Sequence, residues 1–166
     1  MAKKSKLVAF LGVCTALALV LSYIEAILPP VLAAVPGIKM GLPNMIIMFL
    51  LYRRGAGPAI VVSIVRMLLV SLLFGNMMAF IYSLAGGILS LLVMILLRRS
   101  NLLSTVGVSV AGGVSHNIGQ ILMAMLLLET SALGYYMVVL IISGTLSGML
   151  IGLCGAALIK HIPNKL

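Results

Sequence analysis

Long apolar runs separated by short polar segments make up most of the chain. A transmembrane helix needs about 20 apolar residues to cross a hydrocarbon core of about 30 Å. The runs predict six helices at about residues 7–28, 42–52, 57–74, 77–97, 105–128 and 134–159. The second run is too short to cross as an untilted helix, so we interpret it as a partial helix that the preceding loop completes.

The composition indicates that hydrocarbon, rather than water, surrounds most of the chain. Of its 166 residues, 63% are hydrophobic and 8% are charged, whereas soluble domains carry roughly 25% charged residues. The net charge of +9 does not indicate a nucleic-acid partner, because the basic residues lie in small groups between apolar runs. We expect one all-α transmembrane domain over residues 1–166, in contact with the lipid bilayer.

The positions of the basic residues predict the orientation of the helices. With the N-terminus inside, nine of the eleven basic residues fall on the inner side, where Lys and Arg concentrate in membrane proteins. These nine are Lys3, Lys4, Lys6, Arg53, Arg54, Arg98, Arg99, Lys160 and Lys165. Lys39 falls in an outer loop, Glu129 falls outside, and Arg66 lies within the third helix. Six helices therefore place both termini in the cytoplasm.

Arg66 is the most informative single residue. It lies nine residues into the third predicted helix, about 13 Å from the inner surface. A charge at that depth is costly, so we expect its side chain to face the protein interior and meet an anion or backbone carbonyl groups. Glu25 is the one acid on a nearby helix, but it lies about 28 Å along the first helix, so a direct pair needs tilt or a shifted boundary. Ligand binding and structural pairing both stay open for Arg66.

Three hydrogen-bonding side chains share one face of the fifth helix. His116, Asn117 and Gln120 are spaced by three and four residues, which places them on neighbouring turns of one face. Gly112 and Gly113 leave room one turn below. A lone buried His is usually structural, but polar side chains clustered in hydrocarbon require partners. The cluster therefore predicts a ligand site at the depth of Arg66.

Two asparagines are further candidates for the same site. Asn44 begins the second helix after Pro43, which suits a first helical turn because it has no N–H to leave unpaired. The outer loop before it, residues 29–42, either covers a cavity or is a plain connector. Asn76 lies at the outer junction of the third and fourth helices.

Small residues mark two helix faces. Gly144, Gly148 and Gly152 recur every four residues in the sixth helix, a spacing that favours close packing inside the bundle. Gly12 and Ala16 form a similar pair in the first helix, which could equally face a partner subunit.

The chain lacks the residues of several enzyme classes. It contains no Asp, so the magnesium-binding Asp-rich motifs of a catalytic prenyl diphosphate synthase are missing. It has no phosphate-binding loop of the G-x-x-x-x-G-K-[ST] type, and Cys14 and Cys154 show no metal-ligand spacing. Ser115 and His116 are neighbours in a helix and point to different sides. We expect no catalysis, no cofactor and no metal.

Several short motifs are similar to those of a known family. They are the first-helix segment 12–16, the loop end Gly41-Leu42-Pro43-Asn44, the turn at residues 53–58 and the segment 115–120. They resemble the substrate-binding S components of energy-coupling factor (ECF) transporters. The whole chain resembles the Gx transporter family, whose members are often labelled heptaprenyl diphosphate synthase component I.

The resemblance implies a six-helix subunit in a bacterial plasma membrane that binds a vitamin or similar small molecule in its outer half. It also implies that Gly12 and Ala16 contact a transmembrane coupling subunit, which two ATPase subunits drive. The alternative is a non-catalytic accessory or anchor subunit for isoprenoid (heptaprenyl diphosphate) synthesis or for quinone- or flavin-linked electron transfer.

Labelling of single cysteines tests the predicted orientation. In a chain with Cys14 and Cys154 replaced by Ala, cysteines at Ala56 and Ser100 should react only after the membrane is made permeable, because their turns carry the inner basic residues. A cysteine at Thr130 should react from outside. Labelling of Ala56 and Ser100 positions from opposite faces would contradict the six-helix layout.

Overall fold

The computed structural model describes residues 2–28 and 40–162. Most of the predicted outer loop, with Lys39, and the C-terminal Lys165 lie outside the described residues. The described chain folds into six α-helices without a strand, which confirms the predicted all-α bundle. The helices are α1 Ala2–Ile27, α2 Asn44–Arg54, α3 Ala56–Leu73, α4 Met77–Ser100, α5 Thr105–Leu127 and α6 Met137–His161, with a 3₁₀ helix Ser131–Tyr136 before α6.

Helix α2 differs from the other five in length. The other helices are long and apolar enough to cross a membrane, whereas α2 has 11 residues and covers about 16 Å. It is flanked by two glycines with left-handed backbone, Gly41 (φ 75°) and Gly55 (φ 93°). Residues with a side chain adopt that conformation at a cost, so glycine suits both turns. The prediction of a short second helix is confirmed, whereas its completion by the preceding loop falls mostly on residues outside the described ones and stays a prediction.

The helices enclose a common interior. Neighbouring helices follow the spatial order α1, α3, α4, α5, α6 and α2, and α2 also contacts α1 and α3. Residues 46–51 of α2 are all buried. Helix α1 packs mainly on α3, and most of its outer side is exposed apolar surface. In a bilayer, that side of α1 faces lipid.

The glycines of the sixth helix serve internal packing, as predicted. A Cβ atom added to Gly144 would lie 2.9 Å from the carbonyl oxygen of Gly113 on α5. One added to Gly148 would lie 2.7 Å from the Cα atom of Val110, and Gly152 meets α5 just as closely. The backbones of α5 and α6 therefore touch, which only small residues allow in a membrane.

The small pair on α1 has a different environment. Nothing lies within 4 Å of a Cβ atom added to Gly12, and Ala16 is exposed on the same face. The pair therefore has no role in packing the described bundle. Contact with a partner subunit stays a prediction.

Basic side chains gather at one end of the bundle. Arg53 Nη2 donates to the carbonyl oxygens of Ile159 and Ile162, the second at 2.6 Å. Arg98 Nη2 donates to the carbonyl oxygen of Tyr52 at 3.1 Å, and its guanidinium lies 5.2 Å from the Tyr52 ring centroid. We call this end of the bundle the basic end and the opposite end the far end. The assignment of the basic end to the cytoplasmic side stays a prediction.

A pair of glycine substitutions tests the packing of α5 on α6. Gly148→Ala should destabilise the protein by about 1–3 kcal/mol, because the added methyl group meets backbone that must shift. Gly12→Ala, in open space, should leave stability unchanged or raise it slightly, since Ala favours helix. Thermal unfolding in detergent measures both. Equal midpoints for the two variants would contradict the close contact.

Candidate ligand-binding cavity

A cavity of about 310 Å³ lies inside the bundle, and all six helices contribute to its wall. It follows from the length of α2. Helix α4 has 24 residues and covers about 36 Å, so α2 is about 20 Å shorter, and in the described part of the chain no helix continues beyond its N-terminus. The cavity lies in that space, and its volume is at the lower end of the range for small-molecule sites.

The two ends of the cavity differ. At the far end, the lining reaches the α3–α4 turn, where residues 74–76 are exposed. Toward the basic end, the lining stops near Met48, and an apolar core that includes Leu50, Leu51 and Val62 fills the bundle. A molecule from solution therefore has its approach at the far end.

The structure brings the predicted site residues together. All six line this cavity: Asn44, Arg66, Asn76, His116, Asn117 and Gln120. The sequence prediction missed Ser22 and Glu25 of α1, which also line it. Their spacing of three residues on one helical face was the available signal. A role in ligand binding stays a prediction for each of these residues.

Contacts at the basic end explain why α1 and α3 meet at Arg66. The Arg54 guanidinium lies 5.3 Å from the ring centroid of Phe10. Ser22 follows Phe10 by twelve residues on α1, about 18 Å, and Arg66 follows Ala56, the first residue of α3, by ten residues, about 15 Å, so the two lie at similar depths. In agreement, Arg66 Nη1 donates to Ser22 Oγ at 3.3 Å.

The predicted large separation of Arg66 and Glu25 is wrong. Helix α1 begins at Ala2 rather than Leu7, so its first turns extend past the level of Arg54. Glu25 is one turn beyond Ser22, about 4.5 Å farther along the helix. Both charged residues therefore line the cavity, and the carboxylate attracts the guanidinium. The shifted boundary of α1 brings the two residues closer in depth than the sequence predicted.

Glu25 and Arg66 differ in the hydrogen bonds that their side chains make. Glu25 Oε1 accepts a hydrogen bond from the Gly41 N–H at 2.5 Å, which ties the segment before α2 to α1. Arg66 makes its one hydrogen bond within the described residues to Ser22, and its Nε atom is buried without a partner there. A guanidinium has five N–H donors, so Arg66 retains capacity to bind an acceptor.

Glycines let α4 approach α5 beside the polar cluster. A Cβ atom added to Gly86 would lie 2.6 Å from the carbonyl oxygen of His116 and 2.8 Å from Gln120 Cγ. One added to Gly119 would lie 2.8 Å from the Cα atom of Gly86. This backbone contact holds His116 and Gln120 at a fixed position along the bundle.

Packing of α3 on α4 places Arg66 at the same depth. A Cβ atom added to Gly87 would lie 2.8 Å from the Met67 sulfur, so Met67 lies opposite Gly87. Its neighbour Arg66 is consequently level with Gly86 and His116. The arrangement offers a cation, an imidazole and amide groups at one depth, which suits a polar molecule that carries charge.

Asn117 and Asn76 also have structural partners. Asn117 Nδ2 donates to the carbonyl oxygen of Leu140 at 2.7 Å and so joins α5 to α6. Its Oδ1 atom and second N–H remain for other bonds. Asn76 Oδ1 accepts from the Ala79 N–H at 2.7 Å and caps the N-terminus of α4. Capping explains the presence of Asn76 without a ligand.

Comparison with known proteins gives the family. The family model described as heptaprenyl diphosphate synthase component I matches residues 14–158. The chain belongs to the heptaprenyl diphosphate synthase component I family. The match covers at least part of every helix of this chain and agrees with the family that the whole chain resembles in sequence. No curated protein and no solved structure gives a significant match.

Asn117→Ala tests the structural role of the amide in the component I protein. Loss of the bond leaves the buried Leu140 carbonyl group without that donor, so we expect a destabilisation of about 1–3 kcal/mol. Gln120→Ala is the matched control, because the structure shows no hydrogen bond from Gln120 to a described residue. Thermal unfolding of both variants measures the difference, and equal losses of stability would argue against the α5–α6 link.

Proposed function

We propose that this chain is the substrate-binding membrane subunit of a small-molecule importer of the ECF type, with its ligand in the cavity. One observation carries the proposal: polar residues from all six helices and the α3–α4 turn converge on a single cavity that reaches the far end. The apolar core separates that cavity from the basic end.

The cost of polar groups in a membrane supports a ligand. The half of the bundle near the basic end is packed with apolar side chains such as Leu50 and Val62. The other half holds Arg66, Glu25 and His116 around open space. Ionisable residues in transmembrane helices are rare and mark substrate pathways by default. A purely structural bundle would have no need for them.

The proposal also assigns a role to the outer face of α1. Gly12 and Ala16 are exposed and pack on nothing in the described bundle. Small residues at this spacing allow close approach of another helix. The partner in the proposal is a transmembrane coupling subunit, and two ATPase subunits supply the energy, so that this chain performs no catalysis.

The family description favours a second candidate, an accessory membrane subunit for heptaprenyl diphosphate synthesis, because "component I" implies at least one further component. A recess at the basic end fits this candidate. Its lining includes Arg98, Arg99, Asn101, Ser104 and Thr105, which suit an acidic partner surface or a diphosphate group.

Native mass spectrometry of the gently purified protein separates the two candidates. The importer predicts a bound small molecule, together with coupling and ATPase subunits. The accessory subunit predicts a prenyl synthase and no molecule in the cavity. Co-purification of the synthase with an empty cavity would replace the first proposal by the second.

Substitutions in the cavity test the site itself. Arg66→Ala should weaken binding of the co-purified ligand about ten- to hundredfold, because hydrogen bonds to a charged group contribute roughly 1.5–3 kcal/mol. His116→Ala should weaken it as well. Lys160→Ala also removes one positive charge, at a position on α6 that lines neither the cavity nor the recess, and should leave affinity unchanged. Calorimetric titration measures the affinity of all three variants. An affinity that neither cavity variant changes would contradict the proposed site.

A further inference from the structure

The cavity continues past the depth of Arg66 toward the basic end. Its lining includes Ser90 on α4 and Ser109 on α5. Ser90 is three residues beyond Gly87, or about 5 Å. Ser109 is seven residues before His116, or about 10 Å. The cavity therefore has a second polar region, which lies one to two helical turns closer to the basic end than the region around Arg66 and His116.

The hydroxyl groups in this deeper region lack partners. Ser90 is 3% exposed and Ser109 is 5% exposed, and neither hydroxyl has a hydrogen-bond partner among the described residues. Other lining serines, such as Ser22 and Ser71, donate to carbonyl groups of their own helices. Buried polar groups are nearly always hydrogen-bonded to protein or to water, so these two cavity-lining hydroxyls are available to water or to a polar group of a ligand.

Apolar side chains pack beside these hydroxyl groups. A Cβ atom added to Gly112 would lie 2.7 Å from Met94 Cγ and Sδ and 3.3 Å from Ser90 Oγ, so glycine at this position makes room for the Met94 side chain next to the hydroxyl. Met48, Met94 and Ile151 line the same region. Their flexible or branched apolar surfaces suit a hydrocarbon segment of a ligand.

The cavity is also long for its volume. Its wall on α5 extends from Ser109 to Gln120, about 16 Å, and its wall on α4 extends from Ala79 to Met94, about 22 Å. A volume of about 310 Å³ spread over such a length makes a narrow space. A narrow space with polar groups at two depths suits a linear molecule better than a broad ring system.

We infer that the cavity takes an elongated small molecule that is anionic at one end and carries a neutral hydrogen-bonding group at the other. Arg66 receives the anionic end, because most of its donors have no partner in the described chain. Ser90 and Ser109 receive the neutral end. The inference rests on the proposed function, since it defines the class of ligand for the same cavity.

The position of Glu25 is compatible with an anionic ligand. Its carboxylate lies one turn beyond Ser22 toward the far end, and one oxygen accepts the Gly41 N–H. An anion on the basic-end side of Arg66 therefore has the guanidinium between itself and that carboxylate. The ligand enters with its neutral end leading and its charged end nearer the far end.

A homologous series of linear acids tests the inference. The probes are ω-hydroxyalkanoates from butanoate to decanoate, each paired with the alkanoate that lacks the hydroxyl. Binding to the full chain in lipid nanodiscs is measured by thermal shift and titration. We expect an optimum at intermediate length, where the hydroxy acid binds roughly three- to tenfold more tightly than its partner, the effect of one or two neutral hydrogen bonds.

Matched serine variants locate the hydroxyl contact. Ser90→Ala and Ser109→Ala should each reduce the advantage of the hydroxy acid and leave alkanoate affinity unchanged. Ser63→Ala is the control, because Ser63 is equally buried on α3 but outside the cavity lining. Ser90→Thr, which retains a hydroxyl, should keep part of the advantage. Arg66→Gln should weaken both series alike.

Two results would overturn the inference: no advantage for the hydroxyl group at any chain length, or an advantage that survives both alanine variants. If the co-purified molecule still binds in an Arg66-dependent manner, the proposed function stands and only the ligand class is wrong. If neither that molecule nor any acid binds, the proposed function fails too.

Discussion

The hydrocarbon core of a membrane holds no water that could hydrogen-bond to backbone groups. Helix α2 is nevertheless too short to cross this core. In the described part of the segment before α2, residues 40–43, backbone groups of Gly41 have partners within the protein. Glu25 accepts the Gly41 N–H, and the Asn44 N–H donates to the Gly41 carbonyl oxygen at 2.8 Å. Non-helical backbone at membrane depth normally borders a cavity or buried protein. The short helix, the irregular segment and the polar cavity are thus parts of one arrangement.

The walls of this cavity differ in rigidity. Helices α4, α5 and α6 meet backbone to backbone through glycines such as Gly86, Gly119 and Gly144, and close packing of this kind has few alternative arrangements. Helix α1 packs mainly on α3 and is largely exposed. His116 and Gln120 therefore belong to a fixed wall, whereas Ser22 and Glu25 lie on the helix with the fewest restraints.

The sequence predicted those features that depend on spacing along a single helix. Helix periodicity placed His116, Asn117 and Gln120 on one face, and run length identified α2 as partial. The sequence-based estimate of the depth of Glu25 failed, because the lengths of apolar runs do not encode how far one helix is shifted along another. It also missed Ser90 and Ser109, because a serine in a transmembrane helix commonly donates to its own backbone and nothing local distinguishes one that does not.

The anchorage of Arg53 on the last carbonyl groups of α6 bears on how the protein is made. Helix α2 is translated before α6, yet α6 packs against α2, and Ile159 of α6 and Ile162 just after it supply acceptors for Arg53. An eleven-residue apolar segment gains little from insertion alone. Closure of the bundle therefore needs α6, and a chain truncated before α6 lacks part of the protein surface against which α2 packs.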